Sequence, residues 1–309
     1  VRPHYLKLDR HLISGIDTDP DRGALVSAMY ATATVAHTAG IPQLQIAISQ
    51  AQIEHRVLTD VSDVLERRAP AVTAAIHAAP FLSSFPESLD PSPWPDTHRF
   101  RSASAIHTPL PDWWAGNASP LVYVTFGSVL GGLPEAPAAY RTALQAVDGL
   151  PVRVLLTVGS AIDLDLLGPT PANTHVERWV PQEDVVASAA LVVCHGGSGT
   201  VFGALAAGLP LVVCPLFPDQ TANGWLIQRA GASLVVTAPL PAAGAMGQLG
   251  PQQAGRLREA IVTMLAAPGP RTAARRIAAE VAVAPTLDAV LGGLLAHVSA
   301  GARGDRRPP

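Results

Sequence analysis

The residues best suited to chemistry lie between Trp179 and Gln220. At the centre of this stretch His195 is followed by Gly196, Gly197, Ser198, Gly199 and Thr200. The apolar run Leu191 to Cys194 reads as a buried strand that delivers His195 to its C-terminal end, and a helix is expected to begin at the glycine turn. Such a turn makes an anion site. Glycines let the backbone approach a ligand closely, and the first amides of a helix lack intrahelical partners and carry the positive end of its dipole. A phosphate or diphosphate is the natural guest of such a turn.

Downstream, after a second strand over Leu211 to Cys214, Asp219 and Gln220 place a carboxylate beside an amide, a pairing suited to vicinal hydroxyls. Upstream stands Glu177-Arg-Trp179-Val180-Pro181-Gln182, where an aromatic face on a strand-to-loop edge is placed to stack on a nucleobase. Base, diphosphate and sugar recognisers thus follow one another within 42 residues, Trp179 to Gln220. Each also has a plainer reading. A glycine-rich strand-to-helix turn is found in many α/β folds, and His195 alone could cap a helix. Trp179 could bury its ring in a core, and Asp219 could serve as an N-cap.

The elements around these residues alternate. Strands are expected over Val122 to Phe126, Val152 to Val158, His175 to Trp179, Leu191 to Cys194, Leu211 to Cys214 and Ser233 to Thr237. Helices are expected over Pro134 to Val147, Thr200 to Ala207, Thr221 to Ala230, Pro251 to Ala266 and Arg271 to Val283. This order predicts an α/β fold, a parallel sheet with helices on both faces whose ligands lie beyond the C-terminal strand ends. A further amphipathic segment covers Thr286 to Ser299, and the tail from Gly301 to Pro309 reads as disordered. Between Phe85 and Pro120 stand seven prolines, which exclude a regular helix or central strand and read as a stiff connection with a domain boundary near 110 to 120. Before it, Ile53, Val57, Val61, Val64 and Leu65 recur at helical spacing.

The 309 residues, 48% of them hydrophobic, allow two compact α/β domains. A net charge of −3 leaves no basic footprint for nucleic acid. No apolar run reaches the length of a membrane span, and the N-terminal residues do not read as a signal peptide, so a cytoplasmic location is expected. Cys194 and Cys214, the two cysteines, fall at the ends of buried strands and read as small apolar residues of a reducing compartment.

The ordered stretch from Trp179 to Gln220 resembles the donor-binding signature of the GT-B nucleotide-sugar glycosyltransferases. The resemblance is to the bacterial natural-product branch of the UDP-glycosyltransferase-like family (glycosyltransferase family 1). Pro111-Asp-Trp-Trp114, then Leu121-Val-Tyr-Val-Thr-Phe-Gly127-Ser128, resembles its interdomain linker and first donor-domain strand, and Arg178-Trp-Val-Pro-Gln182 its base-binding loop. The resemblance implies two Rossmann-like domains facing a cleft. These are an incomplete N-terminal acceptor domain over 1–110 with a linker to about 120 and a donor domain over 120–285. A helix over 286–300 crosses back, and a tail covers 301–309.

It also implies roles. Gly127 and Ser128 would meet the diphosphate, Trp179 and Val180 the base, and Gln182 the base or ribose. His195, Gly197, Ser198, Gly199 and Thr200 would hold the diphosphate, and Asp219 and Gln220 the sugar. No metal and no cofactor beyond the nucleotide sugar is called for. The reaction implied is inverting transfer of a hexosyl group, a deoxysugar included, to a hydroxyl of a small apolar acceptor such as a polyketide or macrolide.

Two departures from the family matter. UDP-sugar users place a glutamate on the helix after the glycine turn to hold the ribose, and the matching position here is Gly203, which favours a dTDP-linked donor. Against the family the chain also lacks on the order of a hundred N-terminal residues. The histidine that serves as general base is not recognisable, since His4, His11 and His37 stand in other surroundings, and Leu25 to Tyr30 contain no supporting aspartate. A catalytically incomplete nucleotide-sugar-binding protein or auxiliary partner is therefore a second reading, and a GT-B nucleotide-sugar epimerase a third. A first domain this short would leave an open sheet edge, which favours a homodimer or pairing with another chain.

Overall fold

The computed structural model describes residues 33–103, 107–128, 130–216, 218–237, 247 and 249–304, leaving aside the side chains of 218, 219 and 298–304. The chain divides into two units, residues 1–104 with 280–309, and residues 105–279.

The second unit is built on six parallel strands, β4 (Leu121–Thr125), β5 (Arg153–Thr157), β6 (Thr174–Glu177), β7 (Leu191–Cys194), β8 (Leu211–Val213) and β9 (Ser233–Val235), in the spatial order β6-β5-β4-β7-β8-β9. The runs LVYVT, LVVC and LVV are buried along their whole length, as strands covered on both faces must be. The order turns back between β4 and β7, which makes their C-terminal ends the topological switch point where ligands of open α/β sheets bind. Register brings those ends level: Thr125 is opposite Cys194, and Cys194 is opposite Val213. The loops that follow β4, β7 and β8 therefore leave the sheet side by side.

Helices α3 (Ala136–Val147) and α7 (Ala254–Ala266) bury Tyr140, Ala143, Leu144, Leu257, Ile261 and Met264 in one apolar cluster with the β4 and β5 side chains. Tyr140 keeps its hydroxyl satisfied by donating to the Val158 carbonyl at 3.1 Å, and burial pushes its ionisation well above the ordinary tyrosine value. All six strands appear within two residues of their expected bounds. Helix α5 (Ser198–Ala206) starts earlier than expected because Gly197, extended at φ −61° and ψ 137°, is its N-cap. Helix α6 (Pro218–Arg229) also starts earlier, since proline is tolerated in a first helical turn, where its missing N–H has no partner to lose. A five-residue helix, α4 (Gln182–Val186), was not expected from the sequence. It begins after Pro181, and its buried Asp184 accepts the Thr108 amide at 2.6 Å. Helix α8 (Pro268–Val283) completes this series, its last residues passing into the first unit.

The first unit carries three parallel strands, β1 (Gln45–Ile46), β2 (Phe81–Ser83) and β3 (Thr97–Arg99), in that order across the sheet. Helices α1 (Ala51–Glu66) and α2 (Val72–Ala78) supply Leu58, Leu65, Val72 and Ile76 to a core closed by Phe81 and Trp94. Of the apolar positions expected to face inward on α1, Leu65 is buried, while Ile53, Val57, Val61 and Val64 are half-buried and Leu58 takes their place. The Trp94 ring stacks on Phe81 at 4.7 Å and donates to the Ala51 carbonyl. Asp90 accepts the Ala51 amide at 2.7 Å and so caps α1; burial raises its carboxyl above the usual range.

Part of the proline-rich stretch read as a connection is therefore folded into this unit. Phe85, Leu89 and Trp94 are buried, and β3 forms at the sheet edge, where flanking prolines leave no central ladder bond unmade. Helix α9 (Leu287–Gly304) continues through Gly301, so the expected disordered tail is helical in its first part. No proline stops the helix before Pro308. His4, His11 and the segment Leu25 to Tyr30 lie outside the described residues.

Among the described residues no helix is long and apolar enough to cross a membrane, and no group of three or more His, Cys, Asp or Glu is placed to hold a metal ion. Both cysteines are free and buried. Burial pushes the Cys194 thiol from its ordinary 9.0 up to about 12 and raises Cys214 as well. The folded protein is expected to resist iodoacetamide at pH 8, with both thiols alkylated once urea is added, as intact mass would record. Because the folded thiols ionise later than the unfolded ones, their contribution to stability is full below pH 9.0 and is lost as pH rises toward about 12.

Candidate functional site

His195 leaves the end of β7, one residue past the sheet, and its ring is held between two glycines. A Cβ on Gly127 would lie 2.9 Å from the His195 Cε1 and 3.0 Å from Nε2, and a Cβ on Gly197 only 2.3 Å from Nε2. Gly127 further adopts φ +79°, the left-handed region that favours glycine. The sequence thus places glycine on both loops of the switch point, which leaves room for the imidazole against each. The amides of Ser198, Gly199 and Thr200 open α5 next to this ring, and the N-cap Gly197 has no side chain with which to cover them. Ser198 is half-buried, Gly199 exposed, Thr200 buried, and Ser128 stands exposed at the end of the β4 loop.

The β8 loop is shaped from within. Gln220 is 5% exposed, and its carboxamide oxygen accepts the Leu216 amide at 2.9 Å, so this part of the side chain fixes the loop itself. Asp219 lies in the first turn of α6 with its side chain outside the described ones. Asn223, one turn further on and fully buried, donates through Nδ2 to the Gly196 carbonyl at 2.9 Å. Sequence reasoning passed over Asn223, because a single asparagine in a helix carries no pattern.

The third loop follows β6. Trp179 is 74% exposed, so its ring is a surface platform and not a core residue, and Val180 beside it is half-buried. Gln182 opens α4 and reaches across to α5. Its Nε2 donates to the Gly199 carbonyl at 3.3 Å and lies 2.1 Å from where a Cβ on Gly203 would be. The space over Gly203 is thus filled by the Gln182 amide, a contact that no local pattern reveals. Gly127, His195 and Gly197 are in direct contact, and Gln182 of α4 forms a second group with Gly199 and Gly203 of α5. His37 lies in the other unit, on a helical stretch over 33–38, with Nε2 3.4 Å from the Pro70 carbonyl.

The arrangement offers the positive end of a helix, an imidazole and an exposed indole beyond the C-terminal ends of strands in one sheet, a set suited to a nucleoside diphosphate. A family-wide sequence model described as "UDP-glucoronosyl and UDP-glucosyl transferase" matches residues 109–241. The demethyllactenocin mycarosyltransferase of Streptomyces fradiae is 31% identical over 157 residues, 50% of this chain and 33% of the relative. The chain thus spans about a third of the length of that curated relative.

Among solved structures, the glycosyltransferase SnogD from Streptomyces nogalater matches with a TM-score of 0.61 and 26% identity, over 85% of this chain and 69% of the other. The spinosyn rhamnosyltransferase SpnG, solved with thymidine diphosphate, matches with a TM-score of 0.67 and 21% identity, over 92% of this chain and 78% of the other. Strand order and similarity agree on the fold, which is of the GT-B type, and residues 109–241 are similar to the UDP-glucoronosyl and UDP-glucosyl transferase family.

Proposed function

We propose that this chain binds a nucleoside-diphosphate sugar and takes part in its metal-independent, inverting transfer to a hydroxyl of a small apolar natural product. The observation that carries the reading is the His195 imidazole packed between Gly127 and Gly197 at the N-terminus of α5. The diphosphate binds there, the base lies on the exposed Trp179, and the sugar faces the loop of Asp219 and Gln220. A base takes the acceptor proton as the acceptor oxygen attacks the anomeric carbon in line. The bond from that carbon to the diphosphate breaks, and the departing charge is taken up by the imidazole N–H, Ser128 and the α5 amides. Inversion follows from a single in-line displacement.

The nucleotide proposed is dTDP. Nothing at Gly203 offers a carboxylate to a ribose 2′-hydroxyl, and the position is covered by the Gln182 amide. Relatives named as mycarosyl and rhamnosyl transferases handle deoxysugars, which supports a deoxysugar donor.

The test is turnover in EDTA with dTDP- and UDP-linked sugars and a macrolide aglycone panel, reading released nucleoside diphosphate and the product's anomeric configuration by NMR. An inverted glycoside formed faster from the dTDP donor is expected. A retained configuration, dependence on added Mg²⁺, or preference for the UDP donor would overturn the corresponding part. Nucleotide binding without any transfer would assign the chain to donor binding alone.

A further inference from the structure

We infer that Asn223 is a positioning residue of the diphosphate cradle, acting on His195 and the first α5 amides through the backbone of Gly196. The inference rests on the donor-site reading above and adds to it a part that makes no contact with the ligand. Asn223 is fully buried. Its Nδ2 donates to the Gly196 carbonyl at 2.9 Å and lies 3.4 Å from Ser198 Oγ, so one side chain of α6 grips both ends of the turn between β7 and α5. A trans peptide is rigid, with its N–H directed opposite to its carbonyl. Holding the Gly196 oxygen toward α6 therefore sets the direction of the Gly197 N–H, at the residue that also bounds the His195 ring.

The rest of α6 makes this grip stiff. Gly196 sits at φ +91°, and a Cβ there would lie 2.8 Å from both the Gln220 carbonyl and Val213 Cγ1. The turn is thus pressed against α6 and β8 with no room to rotate. Gly224, next to Asn223, lets the helix seat on the sheet, since a Cβ would come within 3.0 Å of Val235 Cγ2 and 3.1 Å of Val213 Cγ1. Position passes from the β8 and β9 side chains Val213 and Val235 to α6, from Asn223 to Gly196, and from there to the imidazole. An amide is the group required, because it must donate to a carbonyl inside the protein while remaining uncharged.

The experiment compares the unaltered chain with Asn223→Ala, the isosteric Asn223→Asp, and Ile261→Val, a core change on α7 that controls for lost stability. Three quantities are read: melting temperature, dTDP affinity by calorimetry, and the His195 ring 15N and 13C shifts without nucleotide. Asn223→Ala and Asn223→Asp should weaken dTDP by roughly tenfold or more and move the His195 ring shifts. Ile261→Val should lower the melting temperature and change neither. In the unaltered chain, dTDP should also shift the Asn223 side-chain amide resonances, a reading that does not depend on the variants folding.

Affinity within twofold of the unaltered chain in a folded Asn223 variant, unmoved His195 shifts, an equal affinity loss in Ile261→Val, or Asn223 amide resonances unmoved by bound dTDP would each overturn the inference. Failure of the unaltered chain to bind dTDP would count against the donor site alone, because the His195 shifts still report on the Asn223 grip.

Discussion

Gly197→Ala is expected to abolish nucleotide binding while leaving the fold in place. The new methyl would stand 2.3 Å from His195 Nε2 and 2.8 Å from Cε1, far inside contact distance. The ring is also confined by Gly127, which lies against it closely enough that a Cβ there would sit 2.9 Å from Cε1. Either the imidazole swings out of the site or the turn opens, and both remove the donor from the diphosphate. The backbone itself does not object, because Gly197 holds φ −61° and ψ 137°, a region open to any residue. The stability cost should therefore be modest, about 1–3 kcal/mol for overpacking and the poorer N-cap. The expected result is a dTDP affinity at least about a hundredfold weaker, with a melting temperature only a few degrees lower. A folded Gly197→Ala protein that binds as well as the parent would show that the ring is not held as described.

The second large effect is expected from His195→Ala. Here the turn keeps its shape and one hydrogen-bond donor to the leaving group is lost. Removing a donor aimed at developing charge in a water-poor site costs about 10²–10³ in rate, or about 2.7–4 kcal/mol of transition-state stabilisation. The imidazole is half-buried, so stability should change little. His195→Gln keeps a donor of similar reach and should recover part of the rate. With the nucleotide sugar as substrate, kcat/KM should fall in both variants, more in the alanine one. An unchanged kcat/KM in His195→Ala would remove the imidazole from the mechanism.

The legible parts of this chain are those written in local patterns. The strand Leu191–Cys194 is a bare apolar run that ends at His195 and the glycine turn, and its bounds coincide with those expected. The glycines around His195 announce a close approach, although only the fold shows that what approaches Gly127 and Gly197 is the imidazole itself. Contacts between distant segments were not legible. Asn223 meets Gly196 across 27 positions, and Gln182 covers Gly203 from another helix. Helix α4 is five residues long, too short to show a period. Strand β3 follows Pro91, Pro93 and Pro95, which masked it. In α1 the helical spacing ran through Ile53, Val57, Val61, Val64 and Leu65; the core cluster with Phe81 and Trp94 takes Leu65 with Ala51 and Leu58, Val61 packs against it, and Ile53, Val57 and Val64 are only half-buried. Periodicity identifies a helix, and its neighbours decide which stripe is covered.

The measurement that bears most directly on the central claim is calorimetric titration of the purified chain with dTDP in EDTA, alongside UDP. One site per chain, an affinity on the order of micromolar and a weaker response to UDP are expected from a metal-free cradle that lacks a ribose carboxylate. A folded protein that takes up neither nucleotide, or binds only when a divalent metal is restored, would contradict the account.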